Sequence, residues 1–455
     1  MNMVFKQLPR SVKWIGIFLL GFIVVLASGR LIQKALDSHF VGERPPYLQM
    51  LAADAITLRW QSEKEYPGLV RYGLDPQKLD KHFQESDAKS EHEIRLSGLN
   101  ANTRYYYSIG DQHTAYYKGS DFWFVTAPKP GDSVPVRFWV LGDPGYPGKV
   151  QNDVRDSMLD WLQKHTRKNK AYIDLLMTTG DNAYRSGSNS QFQDGFFMPY
   201  KNILRNAAVW PAYGNHDARR WVFFDLFTFP TQAESGGVAS GTEHYYSFDY
   251  ANLHIVVLDT PASDLDDDSE MLRWLKKDLK ATQQQWLISL LHHPPYTKGT
   301  HNSDKQSDSG GRMFDVRENV LPILEQAGVD LVLSGHSHMY QRSPLINCHY
   351  GKSTSLKQSM LRDTNDKSVY RKHSVGLAPY QGTVYAVVGS SSKVDQGPLN
   401  HPALPYSLHE TGSLLVDVEA DTLTARFINA KGNVSDRFSI IKGTQQGVTT
   451  RFCVD

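Results

Sequence analysis

Leu175-Leu176-Met177-Thr178-Thr179-Gly180-Asp181-Asn182-Ala183-Tyr184 passes within ten residues from an apolar strand to a polar loop. The apolar run is short enough for a buried strand, and the Gly-Asp after it lies where α/β sheets build their sites, beyond the carboxyl end of a strand. Residues 136–141 lead in the same way into Gly142-Asp143-Pro144-Gly145, residues 286–291 into His292-His293-Pro294, and residues 331–333 into Gly335-His336-Ser337-His338. Gly214-Asn215-His216-Asp217 is a fifth segment of this kind, and residues 253–258 and 384–388 repeat the strand theme. Helical spacing fills the gaps. Val150, Val154, Met158 and Leu162 recur every four residues, Ser269 caps a run through Met271, Leu272, Leu275 and Leu279, and residues 316–327 end at Gly328. The pattern predicts an α/β layered domain over residues 134–440, with 441–455 as a tail.

Upstream the rhythm is different. Residues 55–61, 69–72, 92–96, 105–110 and 122–126 read as short alternating strands, the pattern of a small antiparallel β-sandwich over residues 44–128. Lys129-Pro130-Gly131-Asp132 reads as the linker, and no internal repeat is evident.

A 455-residue chain with 40 % hydrophobic and 21 % charged residues fits globular packing and excludes disorder or a multi-span membrane protein. Lys plus Arg (49) nearly cancels Asp plus Glu (48), so the basic footprint of a nucleic-acid binder is missing. Lys6, Arg10 and Lys13 precede an uncharged, mainly apolar run over residues 14–27, which is the grammar of export. Residues 1–32 read either as a cleavable signal or, counted on to Ile32, as a single-pass anchor; both place the rest of the chain in the periplasm or outside the cell. Cys348 and Cys453 read equally as an exported disulfide or as two free thiols.

Taken singly, the five loop segments are weak signals, because an Asp after a strand is commonly a helix cap. In order, they supply what phosphate ester hydrolysis near neutral pH requires, since two metal ions about 3.5 to 4 Å apart both generate a nucleophile and neutralise phosphoryl oxygens. Asp, Asn and His donors suit zinc, manganese or iron, and no cysteine lies nearby for a thiolate cluster. His336 and His338, two apart, can reach different metals from an extended loop. Other features carry no chemistry in this reading. His293 is taken as a surface or supporting residue, Gly142 to Gly148 fails the nucleotide-loop spacing, and Asp264 to Asp268 is a solvated loop before a helix.

These motifs resemble the calcineurin-like metallophosphoesterases and, within them, the purple acid phosphatases. The family pattern Asp-x-Gly, Gly-Asp-x-x-Tyr, Gly-Asn-His-Asp/Glu, Val-x-x-His and Gly-His-x-His is met at Asp143 with Gly145, Asp181 with Tyr184, Asn215 with His216, His292, and His336 with His338. Ser289 stands where the family usually has Val, at a position without a ligand. Tyr184 selects the subfamily, because relatives lacking it use a His where this chain has Gly145. Arg44 to Gln49, Val70 to Gly73 and Leu99 to Tyr107 are similar to the family's N-terminal fibronectin-type-III-like domain, so the resemblance spans residues 44–440.

The resemblance implies an α/β fold, a metallophosphoesterase β-sandwich flanked by helices and preceded by a small all-β sandwich. It implies that Asp143, Asp181, Tyr184 and His338 hold ferric iron, that Asp181 bridges, and that Asn215, His292 and His336 hold a divalent zinc, manganese or iron. It gives His216 and His301 the catalytic roles of binding the phosphate and protonating the leaving oxygen. The implied activity is phosphate monoester hydrolysis by a metal-activated hydroxide, on a small-molecule substrate and without a nucleic-acid partner. A phosphodiesterase or nucleotide hydrolase of the same fold is the alternative. A non-catalytic surface binding protein is a minor one, because all seven ligands are retained.

Overall fold

The computed structural model describes residues 42–166, 172–363, 368–444 and 453. The apolar segments form two sheets. In the first, Val136–Leu141, Leu175–Thr178 and Ala208–Pro211 run parallel, and Gly412–Glu419, Thr422–Asn429 and Val434–Ile441 continue it antiparallel on the Val136–Leu141 side. In the second, Leu253–Val257, Trp286–Leu290, Leu331–Ser334 and Val384–Val388 run parallel. Tyr246–Tyr250 and Tyr340–Arg342 flank them antiparallel.

Strands buried on both faces need unbroken apolar runs, and their alternation decides which layer each residue enters. Ile255, Ile288, Leu331 and Val384 join one core with Phe138, Leu176 and Val209 of the first sheet. Their neighbours Val256, Leu287, Val332 and Tyr385 pack instead with Leu275 and Leu324 of the covering helices. Trp210 stacks on Phe248 at 3.8 Å, and Tyr340 on Phe427 at 4.2 Å, between the sheets.

The helices match their sequence signals with two differences. The Ser269 side chain accepts from the Leu272 amide and starts Glu270–Ala281 as expected. The helical run expected from Val316 begins at Arg312, after left-handed Gly311, and ends at Gly328 with φ 88°. In Lys149–Lys164, Val154, Met158 and Leu162 are buried as expected, but Val150 is 41 % exposed. Gln151 faces inward in its place, because its amide donates to the Pro144 and Gly195 carbonyls beneath the first turn.

Upstream, Leu69–Gly73, Lys81–Gln84, Arg104–Gly110, Ala115–Tyr117 and Trp123–Val125 form a five-stranded antiparallel sheet. Arg44–Gln49, Ile56–Tyr66 and Lys89–Leu96 belong elsewhere. Arg44–Gln49 pairs parallel with Ala208–Pro211, so these three strands, together with Val369–Arg371 beside Val434–Ile441, extend the first sheet to ten. Tyr47, Leu48, Ile94 and Tyr105 accordingly share one core with Phe138 and Leu176.

Cys348 and Cys453 are joined as a disulfide, which decides between the two readings left open above. Among the described residues no helix is long and apolar enough to cross a membrane, and the apolar run at 14–27 lies outside them.

Candidate metal centre

The carboxyl ends of the central strands of both sheets meet at one place, and the loops there are tightly wound. Asp143 and Asp181 both have φ 51° and His336 has φ 67°. Such left-handed backbone costs about 1 to 3 kcal/mol per non-glycine residue and persists only where surrounding structure imposes it. The adjacent glycines allow the crowding. A Cβ on Gly214 would sit 1.9 Å from the Asp181 nitrogen, and one on Gly335 would sit 2.4 Å from Asp143 Oδ2.

All seven predicted ligands come together here. Asp143 Oδ1, Asp181 Oδ2 and His338 Nε2 lie 3.1, 2.9 and 2.9 Å from the Tyr184 hydroxyl. Asn215 Oδ1 lies 2.8 Å from His292 Nε2 and 2.9 Å from His336 Nδ1. Asp181 Oδ1 is 3.5 Å from His292 Nε2 and thus stands between the two groups. His336 and His338 face opposite halves of the site, as their two-residue spacing predicts.

The far side of each imidazole fixes its proton. His292 Nδ1 donates to the Thr179 carbonyl at 2.8 Å, and His338 Nδ1 donates to Asp395 Oδ2 at 2.7 Å. The Ser309 hydroxyl donates to Asp308 at 2.9 Å, so His336 Nε2 must donate to Ser309 Oγ at 2.6 Å. In the neutral rings the nitrogens facing the centre are therefore bare acceptors. They point at a carboxamide oxygen, carboxylates and a phenol whose single proton is shared among three acceptors. Burial lowers the pKa of His292 and pushes that of His336 well below the ordinary value, so protonation does not relieve the conflict. Burial, then Asp181, holds Asp143 well above the usual carboxylate range. Among the described residues, neither Asp143 nor Asp181 has a Lys or Arg partner. Acceptors converging on acceptors fit a cation of high charge, and hard oxygen with imidazole donors fit the metals named above.

His216 and His301 lie at the edge. His216 donates from Nδ1 to the Arg185 carbonyl at 2.7 Å, leaving Nε2 4.0 Å from Asp181 Oδ2. His301 stacks on His336 at 3.9 Å and binds Asp308 through Nδ1 at 2.9 Å. His293 is buried against His336 at 4.6 Å and hydrogen-bonded to Thr260, which removes the surface reading, and its ring also lies within reach of a metal shared with His292 and His336. Asp264 and Asp266 to Asp268 are exposed, as the loop reading requires.

Asp217 is a functional residue that the sequence reading leaves without a role. Its buried carboxylate accepts from the amides of Asn182, Ala183 and Gly214 at 3.0 to 3.2 Å, tying two ligand loops together. Burial and the nearby Asp181 push its pKa up to about 8. Its signal was the last position of Gly214-Asn215-His216-Asp217. Asp395, which orients His338, has no local signal because it is 57 residues away.

Two family models match in order: the purple acid phosphatase N-terminal domain at residues 45–126 and the calcineurin-like phosphoesterase at residues 136–340. Purple acid phosphatase 21 of Arabidopsis thaliana is 26 % identical over 373 residues, 72 % of this chain and 77 % of that protein. The Fe(3+)-Zn(2+) purple acid phosphatase 12 of the same plant is 25 % identical over 56 % of this chain, which spans 53 % of that relative's length. A purple acid phosphatase structure from yellow lupin (Lupinus luteus) seeds superposes with a TM-score of 0.68 over 91 % of this chain and 78 % of its own, at 18 % identity. With the motifs, the two matched regions and the shared fold in agreement, the chain carries a calcineurin-like phosphoesterase domain behind a purple acid phosphatase N-terminal domain and is a metal-dependent phosphoric ester hydrolase.

Proposed function

We propose that this chain is an exported acid phosphatase that hydrolyses phosphate monoesters at a dinuclear centre of ferric iron and a divalent metal. The observation that carries the reading is the convergence of bare imidazole nitrogens, carboxylates and one phenol on a buried site that, among the described residues, has no Lys or Arg partner. Asp143, Asp181, Tyr184 and His338 would hold the ferric ion, and Asn215, His292 and His336 the divalent one, with Asp181 shared. When bound, the metals supply the charge that neutralises phosphoryl oxygens and activates water. The printed name of the Arabidopsis relative supports the iron and zinc pairing.

The chain's own residues supply the rest. His216, with Nδ1 committed to the Arg185 carbonyl, offers Nε2 to the phosphoryl group. His301, braced by Asp308, offers its free Nε2 to the same oxygens or to the leaving oxygen. Burial raises the Asp308 pKa, but hydrogen bonds from His301, the Asn302 amide and Ser309 outweigh it and keep the carboxylate charged. A disulfide between Cys348 and Cys453 supports an oxidising compartment, in keeping with the basic and apolar start of the chain. A panel of mono- and diesters tested on the metal-replete protein decides the substrate class. Preferred turnover of monoesters is expected, and activity confined to diesters would overturn the reading.

A further inference from the structure

The loops at the edge of the metal centre carry two arginines, Arg185 and Arg219, that the reaction above does not use. The Arg185 carbonyl accepts from His216 Nδ1 at 2.7 Å and from Arg219 Nη1 at 3.0 Å. One oxygen therefore holds both the catalytic imidazole and a guanidinium. Arg185 follows Tyr184 directly, and its loop packs on the His216 loop so closely that a Cβ on Gly187 would sit 3.0 Å from Asp217 backbone. Both arginine side chains are exposed, and among the described residues neither pairs with a carboxylate. Arg220, next along the chain, is half-buried and is not part of the argument.

A guanidinium carries five N–H donors, so Arg219 keeps four after its bond to the carbonyl. The Arg219 guanidinium, which shares a carbonyl acceptor with the phosphoryl-binding imidazole, and the exposed Arg185 that supplies this carbonyl favour a second anionic group on the substrate, because charge-assisted bidentate bonds to carboxylate or phosphate are the strong ones. We propose that Arg219, assisted by Arg185, selects phosphate esters whose leaving group carries a further negative charge. This deepens the phosphatase reading and rests on it.

The test compares 2-phosphoglycolate with 2-hydroxyethyl phosphate, which differ by one carboxylate, using the metal-loaded protein. The wild type is expected to prefer phosphoglycolate, with a preference that shrinks as salt rises. Arg219→Gln should lower the ratio of the two kcat/KM values by about tenfold, chiefly through KM for phosphoglycolate, and Arg219→Lys should restore part of it. Arg185→Gln should lower the same ratio less. If Arg219 acted only by bracing His216, both esters would lose equally and the pH profile of kcat would move; that result, or an unchanged ratio, overturns the proposal. A wild type that turns over neither ester while holding both metals would instead overturn the phosphatase reading beneath it.

Discussion

At the scale of single residues, the proposed centre would separate groups that hold metal from groups that meet substrate. Asn215 and His216 are adjacent, yet the Asn215 carboxamide oxygen faces His292 and His336, while His216 Nε2 lies 4.0 Å from Asp181 Oδ2. Their alanine variants should fail differently. Asn215→Ala should bind the divalent metal more weakly and regain turnover as that metal is added, read by titration. His216→Ala should keep both metals and lose kcat by a factor on the order of 10² to 10⁴. That loss should be smaller for nitrophenyl phosphate than for an alkyl phosphate, because a poor leaving group depends more on general acid help. An equal loss on both esters would leave His216 as a phosphate-positioning group. The ligands were legible in sequence because each lies on a short loop beyond a strand, and Asp143, Asp181, Asn215 and His336 each directly follow a glycine there. Asp395 and Asp308 were not, since a carboxylate that orients a ring from another loop has no fixed spacing to it.

At the scale of elements, periodicity located most strands and helices, and it failed where side chains do unexpected work. The strand Arg44–Gln49 has Pro45 and Pro46 as its second and third residues, which cannot donate to a ladder, and its pairing with Ile56–Tyr66 is irregular between Arg44 and Tyr47. Strand and helix are also tied together by charge. His254 on Leu253–Val257 binds Asp249 of the neighbouring strand and Asp278 of Glu270–Ala281, each at 2.8 Å. Burial lowers its pKa, but the two carboxylates outweigh burial and raise it from 6.5 to about 9. The folded value lies above the unfolded one, so this contribution is complete below about pH 6.5 and lost as pH rises toward 9. Denaturant unfolding of the wild type and His254→Gln should therefore differ most near pH 6 and converge above about pH 9. A difference that stays constant across that range would refute the charged pair. Lys442, lowered to about 8 by burial, titrates in both proteins and cancels in the comparison.

At the scale of the molecule, composition and turn signals divide the chain near residue 130, whereas the sheet runs through that division. Strand pairing between residues 44–49 and 208–211 leaves no mark on local periodicity, which is why it could not be read. Tyr47 donates to the Leu226 carbonyl, Arg59 to the Asp225 carbonyl and Tyr107 to the Arg205 carbonyl, all across the division. Calorimetry should thus show one transition for the whole chain, and a protein beginning after Pro128 should aggregate; two independent transitions would contradict this. Removing the Cys348–Cys453 disulfide, which closes a 105-residue separation, should lower stability by roughly 2 to 4 kcal/mol in denaturant titrations. The central claim concerns what the site binds. The most direct measurement is metal content together with the visible spectrum of the purified protein and of Tyr184→Phe. The account predicts one iron and one divalent ion per chain, and a tyrosinate-to-ferric absorption band that disappears in the variant. A colourless, fully active protein containing only zinc or manganese would contradict it.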